Sequence, residues 1–253
     1  MSVKKSLFIG CSFTADCGFN IDNQPKYHWP QLVCQHTGHR IVNLAIGGMS
    51  NNEIFLRTIE AITLNDFDLV VIMWSEASRF WAYRSDHNVD DFTILNSGIA
   101  KGFKCLEDST KWYSQLHYTH FNNQYVNTKS WLLYCLALEK MLKIQNIPYV
   151  FIKGFDNYVD DFANATYTNG FNNVEQLQDL LDFDNRPDDY ILKKIKVIQS
   201  LIQAQDQSRW LNLYGPSFSS MKIDLADDLS HPGPETNLQL ATDFIKFYKL
   251  LNE

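Results

Sequence analysis

The chain has 253 residues, 45% hydrophobic and 20% charged, with 22 Lys and Arg against 29 Asp and Glu for a formal net charge of −7. That composition excludes disorder and collagen-like repeats, and at about 150 residues per domain it allows one large domain or two small ones. The acidic balance gives no electrostatic reason to seek a phosphate backbone, so nucleic acid is not expected as a partner.

The elements follow in chain order. Ser6 to Cys11 (SLFIGC) is a short apolar run that reads as a buried parallel strand. Trp29 to His36, with Pro30 at a first helical position, predicts a helix. Arg40 to Ile46 is a second strand, and Asn51 to Leu64 a helix with Ile54, Ile59 and Ile62 near one face. Asp68 to Trp74 (DLVVIMW) is the third strand. Lys129 to Gln145 is the strongest helix, Pro148 to Phe155 a fourth strand, and Asp188 to Gln205 another helix. A fifth strand over Trp210 to Tyr214 and a helix over Glu235 to Leu250 end the series.

Strands alternating with helices predict the α/β class, a three-layer α/β/α sandwich around a mainly parallel five-stranded sheet. Two stretches break the alternation, an aromatic-rich one at about 80–127 and an Asn/Asp-rich one at about 156–187. Both leave the carboxyl ends of strands, where open α/β sheets bind ligands, so they read as insertions walling a cleft. Peripheral packing or an oligomer contact is the alternative. The whole chain, 1–253, is then one domain with two insertions.

Cys11, Cys17, Cys34, Cys105 and Cys135 are odd in number, irregularly spaced and without a CxxC pair. Neither a disulfide framework nor a metal site is suggested, and a reducing compartment such as the cytoplasm is expected. The apolar run behind Lys4 and Lys5 is too short for a signal peptide, and no stretch reaches the roughly 18 apolar residues of a membrane span. A soluble protein without a membrane partner is the expectation, and no residue set calls for a cofactor.

Three loops hold chemistry-bearing residues. GCSFT places Ser12 just past the first strand beside Gly10, where a nucleophile can be exposed with free backbone N–H groups nearby. Alone it reads as a turn or capping serine. NLAIGG puts Gly47 and Gly48 after the second strand, leaving backbone that can approach a reacting oxygen. DDLSHPGP sets Asp228 and His231 three apart before the last helix, so the carboxylate can reach one imidazole nitrogen while the other faces outward. A surface histidine in a capped loop is the plainer reading.

With these blocks in this order, the chain resembles the SGNH or GDSL hydrolases. The resemblance implies a flavodoxin-like three-layer fold and an ester-cleaving serine enzyme. It gives Ser12 the nucleophile's role, His231 the general base, Asp228 its orienting partner, and the N–H groups of Ser12 and Gly48 the oxyanion hole. Trp29 and Pro30 also match a subset of the family, whereas Cys11 replaces its aspartate. The third block departs: MWSEASRFW puts Ala77 where the family has an asparagine, leaving Ser75, Ser78 or Asn51 as candidate side-chain donors. Arg79 is a candidate for holding a substrate anion, or else part of a structural ion pair. The expected substrate is a small-molecule or carbohydrate ester, first an O-acetyl group on a sugar. An acyltransferase of the same fold and a binding protein without chemistry are the alternatives.

Other signals carry less. His117 and His120 lack a third ligand of suitable spacing, so no metal is expected. His36 and His39 straddle Gly38 at a helix end. Trp112, Tyr113, Tyr118, Phe121 and Tyr125 read as a sugar platform or a small core. Cys11 reads as a buried thiol rather than a second nucleophile.

Overall fold

Leu69–Trp74 is apolar at every position, and all six side chains are buried, as a central parallel strand requires. The computed structural model describes residues 3–15, 24–83, 92–95, 123–155, 188–214, 216–228, 231–251 and 253. Its main sheet joins β1 (Lys5–Ile9), β2 (Arg40–Asn43), β3 (Leu69–Trp74) and β6 (Tyr149–Lys153), all parallel, in the order β2-β1-β3-β6. The chain passes from β1 to one neighbour and then returns to the other side. The carboxyl ends of β1 and β3 therefore form the topological switch point.

Register assigns the two faces. Phe8 meets the edge of Trp29 at 5.4 Å, and Trp29 lies 6.2 Å from Phe244, so this face is covered by α2 (Trp29–Thr37) and α6 (Pro234–Leu250). On the other face Ile9, Ile72 and Phe151 share a row. There Phe151 contacts Trp74 and Trp210, and Trp210 meets Trp131 of α4 (Gln124–Ile144). With α3 (Asn51–Leu64) and α5 (Asp188–Gln203) beside α4, the three layers of the α/β class are complete. A short helix α1 (Gln24–Tyr27) precedes α2. Among the described residues no helix is long and apolar enough to cross a membrane.

The expected fifth strand does not form. Trp210 makes one parallel bridge to Phe151, and then the side chain of Asn212 takes the ladder's place. Its amide accepts from the Lys153 N–H at 2.7 Å and donates to the Lys153 carbonyl at 3.1 Å. With β6 satisfied by a side chain, the backbone turns away and the sheet has four strands. Helix α4 begins earlier than Lys129 because Asn123 caps it, accepting from the Val126 N–H at 3.0 Å. In the first insertion, β4 (Phe80–Tyr83) and β5 (Phe92–Leu95) form an antiparallel pair. His117, His120 and most of the aromatic cluster lie outside the described residues, as does 156–187. Tyr125 is buried in α4.

Candidate active site

The turn carrying Ser12 is set by contacts that need no Cβ at Gly10. A side chain there would lie 2.5 Å from Thr14 Oγ1 and 2.8 Å from the Met73 carbonyl. The N–H groups of Thr14 and Ala15 both donate to the Cys11 carbonyl at 2.9 Å, closing the turn with Ser12 half-buried. Cys11 is fully buried, as alternation from the strand requires. Trp29 Nε1 donates to the Phe13 carbonyl at 2.9 Å and fixes the next residue. The Phe13 ring stacks on Phe155 at 4.7 Å and meets His231 edge to face at 5.9 Å.

After β2 the chain continues pairing with the end of β1 and then reverses. The Ile46 N–H donates to the Gly10 carbonyl at 3.3 Å, and the Met49 N–H closes a β-turn on Ile46 at 3.2 Å. Gly48, third in that turn, has φ of 80°, a conformation that costs other residues about 1–2 kcal/mol. Asn43 links this loop to the first, donating from Nδ2 to the Thr14 carbonyl at 2.8 Å. Among the described residues, neither the Ser12 N–H nor the Gly48 N–H has an acceptor.

The third loop is pinned on four sides. His231 Nδ1 lies 2.5 Å from Asp228 Oδ2, and the His231 N–H donates to Asp228 Oδ1 at 3.0 Å. The Ala226 N–H reaches the His231 carbonyl and the Gly233 N–H the Asp224 carbonyl, so 224–226 and 231–233 are held side by side. Asp224 caps α6 from outside the helix. It accepts from the N–H groups of Glu235 and Thr236 at 3.0 and 2.8 Å and from the Thr236 hydroxyl at 2.7 Å. Burial works to raise the Asp224 pKa, but these hydrogen bonds outweigh it and hold the carboxyl below its ordinary range. Asn237 donates to the carbonyls of Pro232 and Gly233 and accepts from the Trp29 N–H at 3.2 Å. Asp224, Asn237, Asn43, Phe13 and Phe155 escape a reading of local spacing, since their partners lie far along the chain.

The arrangement brings the Asp228–His231 pair against Phe13, the neighbour of Ser12, at the switch point. Between Ser12 and His231 themselves no hydrogen bond is formed. The third block behaves differently from expectation. Asn51 is 97% buried and clasps the end of β3, donating to the carbonyls of Ser75 and Glu76 and accepting from the Ser75 N–H at 2.7 Å. The Asn51 amide is thus committed on both sides to the backbone at the end of β3. The Ser75 side chain is fully buried, and the Ser78 hydroxyl donates to Glu76. The Arg79 guanidinium lies over the Phe155 ring at 4.6 Å, with Nε 3.7 Å from Glu76. That is the structural ion pair with a packing role, a cation supporting the aromatic stack.

A four-stranded parallel α/β domain with a serine turn, a glycine turn and an aspartate–histidine loop at one sheet edge defines the class. The chain belongs to a family of unknown function, DUF6071, whose model matches residues 14–191. That stretch contains Gly48, Asn51, Ser75 and Arg79 and excludes Ser12, Asp228 and His231. A search among curated protein sequences finds no match. Among solved structures the chain is similar to SGNH and GDSL hydrolases across nearly its whole length. A psychrotrophic esterase from Pseudoalteromonas is 13% identical, with 99% of this chain and 100% of that one covered and a TM-score of 0.47. An acetylxylan esterase from Geobacillus stearothermophilus is 14% identical, covering 97% and 94%, with a TM-score of 0.48. TesA is 12% identical, covering 98% and 99%, with a TM-score of 0.49. At such identities these likenesses assign no residue and no substrate.

Proposed function

We propose that the protein hydrolyses a carboxylic ester through Ser12, His231 and Asp228. The observation that carries this reading is the 2.5 Å contact between His231 Nδ1 and Asp228, on a loop packed against Phe13. In this mechanism Nε2 of the oriented imidazole takes the Ser12 proton as Oγ attacks the acyl carbonyl. The N–H groups of Ser12 and Gly48 receive the developing oxyanion. The imidazolium then protonates the leaving alcohol, and water, activated by the same imidazole, releases the acid and frees Ser12. Catalytic hydrogen bonds are often formed only in the substrate complex, so the missing Ser12–His231 bond is compatible with this role.

We take an O-acetyl ester of a carbohydrate as the first substrate to test. Its support is the sequence resemblance and the acidic balance, which disfavours a strongly anionic substrate. An acyltransferase would differ only in the alcohol that resolves the acyl-enzyme, and products formed with and without an acceptor sugar separate the two.

A second reading is a binding protein without chemistry, favoured by the engaged amide of Asn51. A fluorophosphonate probe discriminates. The hydrolase reading expects labelling and aryl acetate hydrolysis, both abolished by Ser12→Ala and His231→Ala. An unlabelled wild-type protein, or full rate in Ser12→Ala, overturns it.

A further inference from the structure

The parallel register places Lys5 and Arg40 directly opposite each other at the amino ends of β1 and β2. Residues paired this way send their side chains to the same face, and like charges so placed repel. Neither side chain has an ion-pair partner among the described residues. The nearby Asp68 carboxylate accepts from the Lys5 backbone N–H at 2.7 Å.

Both cations line a cavity of about 440 Å³ between β2 and the last two turns of α3, with Lys5 and Arg40 at the amino ends of their strands. Its apolar walls are Val42 of β2, Leu44 just past it, Ala61 and Leu64 of the helix, and Phe67, with Asn65 beside them. Arg57 also lines it but is paired with Glu53, and Glu60 is the one carboxylate among the lining residues. The lining is thus mixed, four charged side chains beside the apolar ones, and its volume falls within the roughly 300–1,000 Å³ of small-molecule sites.

We propose that this cavity binds a small amphipathic carboxylate, its head between Lys5 and Arg40 and its aliphatic body between β2 and α3. The carboxylate relieves the cross-strand repulsion, and its tail covers apolar surface that the edge of the sheet leaves open. The site is independent of the ester-cleaving reading.

Octanoate, 1-octanol and acetate serve as probes in calorimetric titrations of the full chain. Octanoate is expected to bind at one site per chain, with octanol and acetate at least tenfold weaker. The double variant Lys5→Gln, Arg40→Gln is expected to lose octanoate binding at least tenfold while its Tm equals or exceeds that of the wild type. The Ser12→Ala variant is expected to bind octanoate as the wild type does. No octanoate binding, equal binding by octanol, unchanged affinity in the double variant, or loss in Ser12→Ala would each overturn the proposal.

Discussion

Replacing Asp224 by alanine tests whether the last loop is held in place by the cap of α6. The carboxylate accepts two backbone N–H groups and a hydroxyl, at 3.0, 2.8 and 2.7 Å. Loss of such a cap costs about 1 kcal/mol, the hydroxyl bond about another, and the negative charge at the helix start about 0.5. The half-buried setting keeps these near their middle values, so Asp224→Ala is expected to lose roughly 2–3 kcal/mol, or about 5–10 °C in Tm for a chain of this size. Asp224→Asn keeps one acceptor oxygen for Thr236 but sets its NH2 against the Glu235 N–H, so it is expected to lose about 1–2 kcal/mol, between the wild type and Asp224→Ala. The sign with pH follows from the lowered pKa of Asp224. Its contribution is complete above the unfolded carboxylate value of about 3.9 and is lost as pH falls through the lower folded value. The Tm gap between wild type and Asp224→Ala should therefore persist at pH 6 and close in strong acid. The assay for positioning is the fluorophosphonate labelling rate of Ser12 well below either Tm. It should fall at least fivefold in Asp224→Ala and less in Asp224→Asn, which keeps the acceptor for Thr236. A lowered Tm with an unchanged labelling rate would show that the cap supports the helix and not the His231 loop.

Gly48→Ala forces an alanine to φ of 80° and should cost about 1–2 kcal/mol in denaturant unfolding, while reducing aryl acetate turnover more than its stability loss explains. Gly233→Ala would set a methyl 2.6 Å from the Leu225 carbonyl and 2.5 Å from Asp224, so it should reproduce the labelling defect of Asp224→Ala with the carboxylate still present. Asn51→Ala leaves the Ser75 N–H and two carbonyls at the end of β3 unpaired, with an expected loss of about 2–4 kcal/mol by chemical denaturation. Burial, and then Lys4, lower the pKa of His39, so the neutral ring is favoured on folding; Tm should drop as pH falls below the ordinary 6.5, and His39→Gln should flatten that drop.

The elements most legible in the sequence were those whose pattern follows from burial alone. Leu69–Trp74 has no polar alternation because both of its faces are covered, and Asn51–Leu64 shows its apolar face in Ile54, Ile59 and Ile62. The fifth strand failed because Trp210 to Tyr214 has a strand's composition, while the deciding event is a side-chain amide completing the ladder on Lys153. Composition does not record which polar atom reaches the edge first. The same division holds at the site. The three-residue spacing of Asp228 and His231 and the paired glycines before Met49 are local, and their geometry was readable. The destination of the Asn51 amide was not, because its acceptors lie across the end of β3.

The loops that spacing picked out singly are joined by residues that spacing could not rank. Trp29 donates from its ring to the Phe13 carbonyl on the serine side, and its backbone N–H reaches Asn237, which holds the carbonyls of Pro232 and Gly233 on the histidine side. Its ring is wholly buried between Phe8 and Phe244, so it cannot shift without opening the layer between the sheet and α6. The distance between the Ser12 turn and the His231 loop is thus set by core packing rather than by either loop. A smaller residue at position 29 should loosen both loops together. Changes confined to the loops, such as Asp224→Ala, should disturb one side alone.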